Sequence, residues 1–118
     1  MQKQRLYYDK KFLGSKSGRP IRILSEYLSP LESFKNNQID STVVFFGSAR
    51  IEDKNDTAIN RYYKKTRDLA FMITKWNLEK FDGKKYVVTS GAGPGIMEAA
   101  NQGASDANGK TVGLGISL

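Results

Sequence analysis

Two stretches of the chain carry apolar residues with no polar alternation, Thr42-Val43-Val44-Phe45-Phe46 and Tyr86-Val87-Val88-Thr89. Their β-branched and aromatic content predicts strands covered on both faces, as in a parallel sheet. A third run, Thr111-Val112-Gly113-Leu114-Gly115-Ile116, predicts another strand. Between the first two, Ala58, Tyr62, Leu69, Met72, Ile73 and Trp76 form one stripe at helical spacing, so a helix is expected from a cap at Asp56 or Thr57 to about Asn77. Pro94 suits the first turn of a further helix, from about Gly95 to Ala107, which Asn108-Gly109 closes. Upstream, Leu24, Tyr27, Leu28, Leu31 and Phe34 also recur at helical spacing, with Pro30 interrupting the run; this predicts two short helices.

The resulting order from residue 42 onward is βαβαβ, the pattern of a Rossmann-like α/β domain with a parallel sheet, right-handed crossovers and helices on both faces. Ligands in such sheets bind at the carboxyl ends of the strands. Two loops fall there: Gly47-Ser48-Ala49-Arg50 after the first strand and Gly91-Ala92-Gly93-Pro94-Gly95 after the second. The two are expected to line one crevice.

Charge changes the picture only at the N-terminus. The net charge is +7, but residues 1–22 hold seven basic side chains against the single acid Asp9, which accounts for +6 of it. Residues 1–19 therefore read as a basic arm and residues 20–118 as the nearly neutral domain. Such an arm is more often a solvated tail than a nucleic-acid ligand, although Tyr7, Tyr8 and Phe12 have the faces on which bases stack. With no cysteine and no histidine, disulfides, thiolate metal sites and Ser-His-Asp catalysis are all excluded for these residues. No apolar run approaches the length of a membrane span, and charges occupy the place of a signal peptide's apolar segment, so a cytoplasmic protein is expected, with neither metal nor cofactor.

A glycine loop that feeds a helix suits phosphate, because bare backbone lets N–H groups approach oxygens while the helix dipole favours negative charge. A tight strand-to-helix turn explains the same residues equally well. The loop departs from the dinucleotide fingerprint G-x-G-x-x-G: its third glycine is Gly95, and no acid closes the third strand, where Ile116-Ser117-Leu118 stand. The run from Gly103 to Gly109-Lys110-Thr111 imitates a P-loop but has one residue too many and leads from helix to strand. Arg50 is placed to pair with a phosphate or simply to be solvated, and Glu98 falls where the dipole favours a carboxylate with or without a ligand.

Taken together, VVFFGSARI and YVVTSGAGPGIMEAANQGASDANGKTVGLGISL resemble the LONELY GUY (LOG) family of cytokinin riboside 5'-monophosphate phosphoribohydrolases. The likeness spans about residues 20–118, and GPGIMEAANQGA is its most specific segment. RPIRILSEYLSPLE is similar to the longer bacterial, AMP-nucleosidase-like branch. The resemblance implies a dimeric hydrolase that cleaves the N-glycosidic bond of a nucleoside 5'-monophosphate such as AMP, releasing free base and ribose 5-phosphate. It assigns the pocket wall to Gly47, Ser48, Ala49, Gly91, Gly93, Pro94, Gly95, Met97 and Glu98, to which the position of Arg50 adds a tenth candidate. The family's PGGxGTxxE motif, with its catalytic arginine and glutamate, does not occur in these 118 residues. The chain is therefore expected to stop after the third strand, with no catalytic residue assigned and little activity alone. A non-catalytic nucleotide-binding or sensor module is the alternative that the same loops would serve.

Overall fold

The computed structural model describes residues 4–117, so Lys3 of the basic arm and the terminal Leu118 lie outside it. The chain divides into two compact units, residues 1–37 and 38–118.

In the first unit a 3-10 turn, Leu6–Tyr8, leads into α1, Lys10–Leu13, whose start is capped by the Asp9 carboxylate accepting from the Phe12 N–H at 3.1 Å. One helix follows, α2, Arg19–Asn36, with Pro20 in its first turn. This corrects the expectation of two short helices: Pro30 lies inside α2. Proline removes one N–H from the ladder, and the hydrogen bonds on either side carry the helix past it. The turn from α1 into α2 is held by Arg22, whose guanidinium donates to the carbonyls of Leu13 at 2.6 Å and Ser15 at 2.7 Å. None of α2's residues is buried.

The second unit is α/β, with a three-stranded parallel sheet flanked by helices. Its strands are β1, Thr42–Phe45, β2, Val87–Ser90, and β3, Thr111–Gly113, in the order β1-β2-β3. The register sets Val43 beside Val88 and Val88 beside Thr111. Central β2 is buried along its whole length. The connections contain α3, Arg61–Phe81, and α4, Ile96–Asp106. Both pack on the sheet face of Val88 and Phe45, where Ala70 and Ile73 of α3 meet Ala100 and Ala104 of α4. The opposite face carries Val44, which is 55% exposed.

The stripe expected to bury α3 is largely outside. Tyr62, Leu69, Met72 and Trp76 are exposed, and the buried positions are Tyr63, Ala70, Thr74 and Asn77. The reason is the closeness of the two helices. A Cβ placed on Gly103 of α4 would lie 2.1 Å from the Arg67 carbonyl oxygen and 3.0 Å from the Ala70 Cβ, so only small side chains fit along this seam. Beside it, Arg67 closes a two-pronged pair with Asp106, Nε to Oδ2 at 2.6 Å and Nη2 to Oδ1 at 3.1 Å.

Several boundaries also move. α3 proper starts at Arg61, but Thr57 makes the contacts of the expected cap through the turn that leads into it: its hydroxyl accepts from the Asn60 N–H at 3.2 Å and its carbonyl from the Arg61 N–H at 3.0 Å, while Asp56 pairs with Arg61. The helix runs on to Phe81, and Asp82 and Gly83 then turn the chain with φ of 55° and 73°. β3 ends at Gly113, although the Leu114 N–H still donates to the Ser90 carbonyl at 2.9 Å.

Candidate functional site

Both candidate loops leave the carboxyl ends of neighbouring strands, and the backbone joins them. The Ile96 N–H, first of α4, donates to the Ser48 carbonyl at 3.1 Å. Glycine is required on both sides of that junction. Gly95 has φ of 75°, and a Cβ there would stand 2.1 Å from the Ser48 oxygen and 2.9 Å from the Ala49 Cα. A Cβ on Gly47 would stand 2.6 Å from the Ile96 Cβ. Gly47, Ser48, Ala49 and Gly95 are thus brought together, and Pro94 sits in the turn just ahead of the helix.

Gly91 and Gly93 answer to a different neighbour. The Met97 thioether lies against both, its Sδ 3.3 Å from a Cβ placed on either and its Cε 2.4 Å from one on Gly93, and the Phe46 ring comes within 3.2 Å of one on Gly91. Bare backbone here makes room for a long, flexible side chain. Between them Ala92 adopts φ of 60°, so the loop bends through the left-handed region without glycine at its centre.

The loop opens on one side into a shallow depression lined by Ala92, Gly93, Glu98, Asn101, Gln102 and Thr111, among others. Glu98, in the first turn of α4, brings a carboxylate to it. The Gly47–Arg50 loop does not line this depression. The Arg50 backbone N–H donates to the Ser48 hydroxyl at 3.1 Å, and its side chain stays exposed.

Three polar residues that the sequence reading passed over hold the loop in place. The Ser90 hydroxyl donates to the Asn101 side-chain oxygen and accepts from the Ala92 N–H at 3.1 Å. The Asn101 amide donates to the Thr111 hydroxyl at 2.6 Å and the Val112 carbonyl at 3.0 Å. One side chain of α4 thereby ties the loop's start to β3. The available signal was a serine ending an otherwise apolar strand, a polar group needing a partner once buried. A fourth omission is Tyr63, whose phenol donates to Glu98 Oε1 at 3.3 Å. Burial, and then the nearby Glu98 charge, hold that phenol above the ordinary tyrosine range.

Among the described residues no group of acidic side chains is arranged to hold a metal ion, and no helix is long and apolar enough to cross a membrane. Compared with known proteins, the chain matches no family model and no curated relative.

Proposed function

We propose that the chain binds a nucleoside 5'-monophosphate such as AMP at the carboxyl ends of β1 and β2, as the pocket wall of a phosphoribohydrolase of the LOG kind. The observation that carries the reading is the Ile96 N–H to Ser48 carbonyl bond, which draws the two loops together at the start of α4. A helix start beside a glycine loop turns N–H groups and the positive end of a dipole toward a bound anion. A homodimer, which rests on the resemblance, and a cytoplasmic location belong to the same proposal.

Cleavage of an N-glycosidic bond passes through an oxocarbenium-like state, and it needs an acid or base near the base and ribose as well as donors on the phosphate. These residues supply donors and one carboxylate, Glu98, beside the depression; they lack PGGxGTxxE. The chain is therefore expected to bind AMP and to release little or no adenine. Calorimetric titration with AMP and with adenosine tests the binding, and chromatography of free base tests the chemistry. Adenosine should bind at least about tenfold more weakly, the loss of a charge-assisted phosphate contact. Equal affinities, or no AMP binding, contradict the proposal. Rapid adenine release would overturn the expectation of inactivity and make Glu98 and Arg50 the first residues to replace.

A further inference from the structure

We infer that Tyr63 is a positioning residue for the nucleotide site, holding the Glu98 carboxylate at the glycine-loop depression through its phenol O–H; the inference rests on the nucleotide reading above. Tyr63 belongs to α3, the helix that precedes β2, and its ring is packed with Ile51 and Ala99, with Ile96 against them. Only 4% of the residue is exposed. Glu98 contrasts with it: its side chain is exposed at the rim of the depression, and a free carboxylate there would sample several rotamers. The phenol contacts Oε1, so one carboxylate oxygen is anchored to a rigid ring while the other remains for a donor on the ligand.

This arrangement also explains why the tyrosine is a poor choice for core packing alone. A buried hydroxyl must find a partner, and here the partner is a charged side chain beside the glycine loop, not a backbone carbonyl nearby. Ile51 directly follows the Gly47–Arg50 loop, and Ala99 and Ile96 belong to α4. The ring therefore touches both segments that the proposed ligand would meet.

Tyr63→Phe keeps the ring and deletes only the hydroxyl. Calorimetric titration of the 118-residue chain with AMP should show about a fivefold loss of affinity for Tyr63→Phe, the scale of one ordinary hydrogen bond. The loss should vanish when the same change is made in a Glu98→Gln background, because the two residues act as one unit. A second readout needs no ligand. The Tyr63 phenol, followed by its ring NMR signals, should titrate lower in Glu98→Gln than in the unaltered chain, which a ring serving only as core packing would not do.

Losses that simply add, or AMP affinity unchanged in Tyr63→Phe, would overturn the positioning role while leaving nucleotide binding intact. A Tyr63 titration unmoved by Glu98→Gln would overturn it as well. No AMP binding by the unaltered chain would instead remove the nucleotide reading, and with it any ligand-facing role for Tyr63.

Discussion

The glycines along the α3–α4 seam and at the loop junction differ from those inside the glycine loop, although all stand in one short stretch of sequence. At Gly103 and Gly95 the space a side chain would take is already held by backbone, the Arg67 and Ser48 carbonyl oxygens, each 2.1 Å from the placed Cβ. At Gly93 it is held by the Met97 side chain, and at Gly91 by side chains as well, the Phe46 ring at 3.2 Å and the Met97 Sδ at 3.3 Å. Backbone cannot move without unpicking helix or loop hydrogen bonds, whereas a thioether can change rotamer. The first pair of glycines therefore fixes the geometry, and the second leaves one wall of the depression adjustable.

The largest effect should come from Gly95→Ala. It places a side chain at φ of 75° and drives it into Ser48, breaking the Ile96 to Ser48 bond. A loss of about 3 kcal/mol or more is expected from denaturant unfolding, combining backbone strain with overpacking. Gly103→Ala comes next, at about 2–3 kcal/mol, because α3 and α4 must separate to admit a methyl group. A loss at Gly103 below the experimental error would show that the seam can open, and the contrast between the two kinds of glycine would fail.

Much of this architecture was readable in the residue pattern. The β-branched runs predicted at 42–46 and 86–89 hold strands at 42–45 and 87–90, the loop at 91–95 connects strand to helix, and the sheet is parallel. What the pattern hid follows from one physical fact. Helical periodicity marks large apolar residues, but a seam this close selects small ones, so Ala70, Ala100, Gly103 and Ala104 bury themselves while Met72 is 64% exposed. The same error assigned Tyr62, not Tyr63, to the buried side of α3, and Tyr63's contact with Glu98 was lost with it. Likewise, Pro30 read as a break because a missing N–H was given the weight of a whole turn. For the candidate residues, position along the strands was foreseeable. The Ser90–Asn101–Thr111 network was not, since it joins groups that become neighbours only in the folded sheet.

A smaller effect, visible in its pH dependence, should mark the outer edge of the seam. Arg67, and secondarily Gln102, hold the Asp106 carboxyl below the usual aspartate range by hydrogen bonding. A carboxyl with a lowered folded-state pKa adds stability above its unfolded value, and that contribution disappears as pH falls through the folded value. Thermal unfolding between neutral pH and pH 2 should therefore show a shallower acid-side decline for Asp106→Asn than for the unaltered chain, from a lower starting point at pH 7. Parallel profiles would mean that the pair contributes nothing.

The smallest stability change should be that of Gly93→Ala, below about 1 kcal/mol, because the added methyl displaces only the end of Met97. Its effect should fall on binding. By calorimetric titration, Gly93→Val should weaken AMP more than Lys110→Ala does, the larger side chain displacing Met97 and obstructing approach to the loop backbone.

The most direct test of the central claim is to follow the backbone amide NMR signals of the chain as AMP is added. The account predicts that the largest, saturable shifts fall on residues 47–50 and 91–98, where the two loops meet at the carboxyl ends of β1 and β2. Shifts centred instead on residues 84–86 and 110, at the opposite ends of the strands, or no saturable shifts at all, would contradict it.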